Sequence, residues 1–215
     1  MTEPRRGLFI TMEGTEGVGK STNMEFLANQ LAARGIDYVV TREPGGTPMA
    51  EEIRELLLRR REEPVQGLTE LLLMFAARSQ HLHSFILPRL KEGVWVLCDR
   101  FTDATYAYQG GGRQMPMEQV QLLEQLVQGD RRPDHVLLLD APVAVGMQRI
   151  RGRDLAPDRF EQEQQAFFQR VQDVYRERAR QAPERYHQID ASQPLNQVQS
   201  DLSAVLDTII MGRHH

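Results

Sequence analysis

The chain has 215 residues, of which 40% are hydrophobic, with a formal net charge of −4 and one cysteine. This length and composition suit a single compact domain spanning residues 1–215. The small negative charge excludes the broad basic field of nucleic-acid-binding proteins, so we expect no nucleic-acid partner and only a local anion site. A lone Cys98 allows no disulfide within the chain and favours a reducing, cytoplasmic location. The apolar runs are too short for a membrane span or a signal peptide, so we expect no membrane partner.

Short apolar runs alternate with longer segments of helical periodicity along the chain. The predicted strands are 7–12, 36–41, 94–99, 135–142 and 186–191, and the predicted helices are 23–34, 49–57, 68–87, 117–127, 160–181 and 195–210. Pro88 is expected to end the third helix. Residues 149–159 are charged and contain Gly152 and Pro157, which predicts a loop. Alternation of strands and helices predicts an α/β fold, a five-stranded parallel sheet flanked by helices in three layers.

A glycine-rich segment joins the first predicted strand to the first helix. Residues 14–21, GTEGVGKS, match the P-loop pattern G-x-x-x-x-G-K-[ST] in this required context. In such a loop backbone N–H groups face phosphates, Lys20 reaches the β and γ oxygens, and the Ser21 hydroxyl binds Mg²⁺. The predicted ATP-binding residues are Gly14, Thr15, Glu16, Gly17, Val18, Gly19, Lys20, Ser21 and Thr22. The alternative is a glycine-rich turn that binds nothing, and a P-loop alone does not distinguish switches, motors and kinases.

Further charged residues follow the second and third strands, at the sheet edge where open parallel sheets bind ligands. Asp99 ends an apolar strand, which is where P-loop proteins place a carboxylate near Mg²⁺. Arg100 follows directly and suits a second anionic substrate, although an ion pair with Asp99 or Asp103 is an equal alternative. Arg42 and Arg54 are candidate anion clamps, but the acidic neighbours of Arg54 favour a solvated helix charge.

Four arginines, Arg149, Arg151, Arg153 and Arg159, fall in the predicted loop 149–159. Runs of charge usually form a solvated face. Arginines on a closing loop can instead stabilise the charge that develops during phosphoryl transfer and exclude water. The P-loop itself contains no arginine, so we predict that this loop supplies one.

The segments EGTEGVGKST, TREPGGT, LLLMFAARSQ and CDRFTDATYAYQGGG, with an arginine-rich lid at about 149–163, together resemble bacterial thymidylate kinases. The resemblance runs from the first strand to the last helix, and the order and spacing of the motifs are specific. It implies the P-loop kinase fold and transfer of the γ-phosphoryl of ATP to dTMP, giving dTDP, with Mg²⁺ as cofactor. Members of the family are typically homodimers, packed through helices near the acceptor side. The acceptor-site helices are implied to lie within residues 42–90.

The resemblance also implies residue roles. Glu16 takes the deoxyribose 3′-hydroxyl and lies near Mg²⁺, so the implied metal-site residues are Ser21, Glu16 and Asp99. Arg54 and Arg100 hold the acceptor phosphate, Arg78 and Gln109 bind the thymine, and Tyr108 excludes a ribose. The implied acceptor set is Glu16, Pro44, Arg54, Met74, Phe75, Arg78, Arg100, Thr105, Tyr108 and Gln109. The implied catalytic set is Lys20, Arg100, Arg149, Arg151 and Arg153.

One position departs from the family pattern. Many members have a phenylalanine four residues before the thymine-binding arginine, whereas this chain has Met74 there and Phe75 next to it. Both lie on nearly the same helix face as Arg78, so either could cover the base. The two P-loop acids also differ. The resemblance gives Glu16 a role but assigns none to Glu13, and the alternative for Glu13 is to anchor the loop by hydrogen bonds.

Two other functions compete. One is a kinase for a different acceptor, such as another nucleoside monophosphate or a deoxynucleoside. A deoxynucleoside kinase would need a carboxylate base for a neutral hydroxyl, and Glu13 or Glu16 could supply one. A GTPase-like switch would need an N-K-x-D segment, and the chain contains no Asn-Lys pair. The histidines, including His81, His83, His135 and His187, show no metal-site spacing, and we assign them no catalytic role.

Overall fold

The computed structural model describes residues 6–151, 159–161 and 163–213. The described residues form five strands, β1 (Phe9–Glu13), β2 (Tyr38–Arg42), β3 (Trp95–Asp99), β4 (His135–Asp140) and β5 (Tyr186–Asp190). They lie in the order β2-β3-β1-β4-β5, and each pair of neighbours is parallel. The parallel α/β sheet predicted from the alternation of elements is therefore confirmed.

The helices follow the strands in sequence and cover both faces of the sheet. They are α1 (Lys20–Ala33), α2 (Pro48–Leu58), α3 (Gly67–His81), α4 (Leu87–Lys91), α5 (Thr102–Thr105), α6 (Met117–Gln128), α7 (Val143–Arg151), α8 (Gln165–Gln181) and α9 (Leu195–Arg213). Two π-helical turns, Leu82–Ile86 and Tyr106–Gly112, join α3 to α4 and extend α5.

Alternate strand residues divide the core between the two faces of the sheet. Ile10 and Met12 of β1 pack with α1 and α9, whereas Phe9 packs on the opposite face with residues of the Leu82–Ile86 turn and α4. Helix α8 packs on this second face over β4. Because the buried strands carry apolar residues toward both helical layers, the sheet is covered on both sides. This arrangement brings the carboxyl ends of all these strands to one edge, where the candidate site lies.

Three predicted boundaries were wrong. Pro88 does not end the long helix, which continues as α4. A π-helical turn precedes the proline and shifts the local hydrogen bonds, so the missing N–H of Pro88 does not break the helix. Residues 143–151 form helix α7, although 149–151 were predicted as loop. Helix α8 begins at Gln165 rather than at 160, because Phe160 packs into a cavity instead of continuing the helical face.

Candidate functional site

The P-loop runs from the end of β1 into the first turn of α1. Gly14 and Gly17 both have positive φ angles, 142° and 75°. A Cβ on Gly17 would lie 2.1 Å from the Gly146 carbonyl oxygen, and one on Gly14 would lie 2.4 Å from that of Leu139. The loop therefore needs glycine both for its backbone angles and for its close approach to neighbouring backbone.

Lys20 is buried at the start of α1 and lies along the inside of this loop. Its Nζ donates to the Thr15 carbonyl at 2.9 Å and to the Gly14 carbonyl at 3.3 Å. Burial, followed by the nearby Arg100 charge, lowers the pKa of Lys20, while the Glu16 carboxylate at 4.0 Å opposes this shift. Ser21 and Thr22 follow on the exposed first turn. The ammonium is thus held at the mouth of a phosphate cradle.

Arg100 follows β3 with a φ of 69°, in the left-handed region that a residue with a Cβ rarely adopts. This backbone directs its guanidinium to Glu16, with Nη2 to Oε1 at 2.8 Å, and over the ring of Tyr108 at 4.7 Å. Burial alone would lower the pKa of Arg100, but the Glu16 carboxylate raises it well above its ordinary value. The sequence left open an ion pair with Asp99 or Asp103, whereas the salt bridge in the structure is with Glu16.

Glu13 is fully buried behind this cluster. Its Oε1 accepts from the Phe101 N–H at 2.7 Å and its Oε2 accepts from the Tyr175 hydroxyl at 2.8 Å. Burial and the nearby Asp103 carboxylate raise the pKa of Glu13 to about 8. Glu13 therefore anchors the segment after β3 to the P-loop strand, rather than acting from the cleft surface.

Two clefts meet beside the P-loop. The first, about 680 Å³ of empty space, is lined by Gly17, Lys20, Ser21 and Asp99. The second, about 590 Å³, lies between α2, α3 and the Tyr106–Gly112 turn. Residues that line both clefts are Glu16, Glu43, Arg54 and Arg100. The candidate site therefore consists of two adjoining clefts that share these charged residues.

Most of the acceptor residues implied by the sequence lie in the second cleft. They are Glu16, Pro44, Arg54, Met74, Arg78, Arg100, Thr105, Tyr108 and Gln109. Phe75 is the exception, because it is 2% exposed and packs with Leu71, Tyr106 and Val120 in the core. Met74 therefore faces the cavity and Phe75 supports α3 from behind.

Arg78 is held rigidly in the wall of this cavity. Its Nε donates to Glu43 Oε2 at 2.7 Å, and its Nη2 donates to the Phe101 carbonyl at 3.1 Å and to Thr105 Oγ1 at 3.0 Å. Within the described residues its Nη1 has no hydrogen-bond partner. A buried guanidinium with an unused N–H group beside a cavity is suited to bind a ligand carbonyl.

The sequence analysis missed several residues that line this cavity, among them Glu43 and Phe160. Glu43 lies within the TREPGGT segment and accepts from Arg78 on one oxygen, while its other oxygen lies 3.0 Å from His81 Nδ1. Phe160 was assigned to a helix, but it lines the cavity with its ring edge against Tyr108, at a centroid distance of 6.0 Å. An aromatic residue directly after the arginine-rich segment was the only signal for it.

The four arginines do not share one loop. Arg149 lies on α7, and its Nη1 donates to the Ala191 carbonyl at 2.9 Å, after β5. Arg151 is the last residue of α7, and its side chain lies outside the described residues, as does Arg153. Arg159 pairs with Glu70 and lies by the second cleft. The predicted single loop is therefore wrong for Arg149 and Arg151.

The residues beside Lys20 fit a magnesium ion. Asp99 Oδ1 is buried without a hydrogen-bond partner among the described residues, and Ser21 lines the same cleft. The described part of the chain contains no group of three or more His, Cys, Asp or Glu residues that could hold a metal. Mg²⁺ is commonly bound by one or two protein oxygens together with phosphates and water, so this sparse set suits it.

Helices long and apolar enough to cross a membrane are absent from the described residues.

Comparisons with known proteins agree along almost the whole chain. The family model described as thymidylate kinase matches residues 12–202. Thymidylate kinase of Teredinibacter turnerae is 57% identical over 205 residues, covering 95% of this chain and 99% of that protein. Thymidylate kinase of Pseudomonas entomophila is 58% identical over 204 residues, covering 95% and 97%. The crystal structure of thymidylate kinase from Ehrlichia chaffeensis superposes with a TM-score of 0.76 at 33% identity, covering 94% and 99%. The P-loop and the two clefts agree with this similarity, and the chain belongs to the thymidylate kinase family.

Proposed function

We propose that this protein transfers the γ-phosphoryl group of ATP to dTMP, giving dTDP and ADP, as a step toward dTTP. The observation that carries the proposal is the junction of two clefts at Glu16, Arg54 and Arg100. One cleft carries the P-loop, and the other is lined by Arg78 and Gln109. A kinase for a nucleoside monophosphate needs two such sites with positive charge between them. Family membership supports dTMP as the acceptor.

ATP occupies the P-loop cleft in this proposal. Backbone N–H groups of residues 14–22 and the Lys20 ammonium bind the β and γ phosphates. Ser21 and Asp99 would hold Mg²⁺ with Glu16 nearby, and the ion would neutralise phosphate charge. The orphaned Asp99 oxygen supports this assignment. Arg149, Arg151 and Arg153 are proposed to add positive charge on the triphosphate side.

The acceptor phosphate lies between Arg54 and Arg100. Arg54 is half-buried, and its Nη1 donates to the Pro44 carbonyl at 2.9 Å. Burial, followed by the nearby Arg42 charge, lowers the pKa of Arg54. A monophosphate dianion is already nucleophilic at neutral pH, so no general base is required. Its alignment with the γ-phosphoryl group, together with charge stabilisation, then accounts for catalysis. The position of Glu13, buried behind Arg100, is consistent with an anchoring task.

The thymine lies between Arg78, Gln109 and Met74, with Thr105 beside it. Gln109 Nε2 donates to Glu70 Oε1 at 2.8 Å, so the amide oxygen of Gln109 faces away from Glu70. This oxygen can then accept from a base N–H. Tyr108, whose hydroxyl donates to Glu16 Oε1 at 3.2 Å, occupies the space beside the sugar and is proposed to exclude a 2′-hydroxyl. Glu16 is proposed to accept from the 3′-hydroxyl.

A coupled assay for ADP with ATP and dTMP tests the proposal, with dUMP, dCMP and thymidine as alternative acceptors and GTP as an alternative donor. We expect dTMP to give the highest kcat/KM. A higher kcat/KM with thymidine would support a deoxynucleoside kinase, and tight GTP binding without transfer would support a switch. Either outcome would reject the proposed reaction.

We also propose a homodimer, with one domain in each subunit. Leu68 and Leu72 on α3 and Leu122 and Leu126 on α6 are exposed by 49–77%, on two helices that pack side by side. Exposed leucines on adjacent helices are typical of a protein interface. Sedimentation velocity of the Leu122→Asp/Leu126→Asp variant should show a monomer, while Leu195→Asp on α9 serves as control. An unchanged sedimentation coefficient in the double variant would reject this interface.

The cytoplasm is the proposed location. The nucleotide substrates and the free, buried thiol of Cys98 support it.

A further inference from the structure

We infer that Arg159 is a positioning residue for the acceptor: its ion pair with Glu70 holds Phe160 over the acceptor cavity. The inference rests on the proposed function, because it takes Gln109 as a thymine-binding residue. It separates Arg159 from the arginines that are proposed to serve the triphosphate.

The centre of the arrangement is the Glu70 carboxylate on α3, which is 1% exposed. One oxygen accepts from Gln109 Nε2 at 2.8 Å, and the other lies 2.6 Å from Arg159 Nη2, as an ion pair rather than an aligned hydrogen bond. Arg113 Nε also lies 3.4 Å from the first oxygen. The same buried carboxylate therefore orients a base-binding amide and pairs with Arg159.

Arg159 is fixed at a second point as well. Its Nε donates to the Leu57 carbonyl at 2.9 Å, near the end of α2, where helix carbonyls lack partners within the helix. Its guanidinium carbon lies 4.5 Å from the centre of the Phe160 ring. Arg159 thus binds α2 and α3 and packs on the ring of its own neighbour, Phe160.

Phe160 then closes one side of the cavity. Its side chain is 6% exposed and its ring meets that of Tyr108 edge to face. The guanidinium carbon of Arg113 also lies near this ring, 5.6 Å from its centre, and Arg113 pairs with Glu163, three residues after Phe160. The residues on both sides of Phe160 are therefore anchored to the wall that holds Gln109.

Acceptor binding and the position of Phe160 must be coupled by this geometry. An acceptor that orders Gln109 also orders Glu70, and Glu70 orders Arg159. Acceptor binding and the position of Phe160 therefore stabilise each other by the same factor. Loss of the ion pair should weaken dTMP binding, with little effect on ATP. A residue with a general structural role would instead alter both substrates or the melting temperature alone.

The test compares Arg159→Ala and Glu70→Gln with Arg180→Ala, an exposed control on α8. Glu70→Gln keeps an oxygen that can accept from Gln109 but removes the charge that pairs with Arg159. We expect KM for dTMP to rise by about 10-fold in Arg159→Ala, with KM for ATP within about 2-fold and Arg180→Ala unchanged. The Arg159→Ala/Glu70→Gln double variant should be no worse than the single variants, because both remove the same pair.

Titration calorimetry of dTMP binding without ATP gives a second measurement that does not depend on turnover. Arg159→Lys is a milder variant that retains the positive charge. Weaker dTMP binding in Arg159→Lys, short of the loss in Arg159→Ala, supports the inference. A KM for dTMP that stays unchanged, or a fall in kcat with an equal rise in both KM values, would overturn it. If the wild-type protein did not phosphorylate dTMP, the proposed function would fail instead.

Discussion

Met74 and Phe75 are neighbours on α3 with different environments. Which of them lines the second cleft depends on this difference. Phe75 is 2% exposed among Leu71, Tyr106 and Val120, and its ring lies 4.8 Å from the guanidinium carbon of Arg78. Truncating a buried phenylalanine to alanine costs about 3–5 kcal/mol, and the lost cation–π contact adds about 1 kcal/mol. This is a large fraction of the roughly 5–15 kcal/mol that stabilises a typical domain.

Met74 lines the cavity instead, so its truncation should mainly affect the ligand. Removing its thioether leaves a gap against the base and should weaken dTMP binding by about 1 kcal/mol, or roughly 5-fold. We expect Met74→Ala to raise KM for dTMP by about that factor with a small loss of stability. Urea unfolding monitored by circular dichroism gives the free energy of unfolding, and initial rates give KM.

Phe75→Leu keeps most of the buried volume and serves as the matched variant. It should fold, lose a moderate amount of stability and retain the wild-type KM for dTMP. If Phe75→Leu raised KM while Met74→Ala left it unchanged, Phe75 would cover the base and the assignment of the cavity wall would be wrong.

Three other changes test separate parts of the site. Gly17→Ala should abolish activity, because its Cβ would lie 2.1 Å from the Gly146 carbonyl oxygen and a φ of 75° is strained for alanine. Gly35→Ala, which has open space around the Cβ, controls for the backbone angle. Full activity in Gly17→Ala would contradict the close approach. Burial raises the pKa of Glu13, so between about pH 4.5 and about pH 8 the folded state keeps a proton that the unfolded state releases, and the free energy of unfolding of the wild type falls as pH rises. Glutamine does not titrate, so the free energy of unfolding of Glu13→Gln should fall less over the same pH range. Urea midpoints across this range, with exposed Glu118→Gln as control, measure this, and parallel curves for Glu13→Gln and wild type would refute it. Asp99→Asn should raise the Mg²⁺ concentration needed for half-maximal rate while leaving KM for dTMP nearly unchanged, and an unaltered Mg²⁺ requirement would remove Asp99 from the metal site.

The sequence alone predicted the features that depend on local chemistry. The parallel sheet was predictable because apolar runs and helical periods alternate, and each strand lies within a few residues of its predicted position. The P-loop was predictable because glycine spacing, a lysine and a following helix are set by backbone angles within a few residues. The acceptor residues, by contrast, came from resemblance to a family, since their spacing alone suggested no common site.

The tertiary structure decided which side chains meet, because contacts between distant segments are set by the packing of whole elements. Arg100 could have paired with Asp99 or Asp103 from its neighbours in sequence, but its left-handed backbone directs it to Glu16, which lies 84 residues away along the chain. Met74 and Phe75 share almost the same helix face, and the α6 side of the core accepts only Phe75.

The arginines illustrate the same limit. As a sequence they form one charged run, yet Arg149 bonds to the chain after β5 and Arg159 reaches Glu70 beside the acceptor cavity. The sequence determined that this protein has a phosphate cradle on a parallel sheet and that arginines follow it. Only the folded chain decided which groups each described arginine contacts, because a guanidinium on a long side chain is placed by the nearest buried carboxylate or carbonyl, and that partner comes from another element.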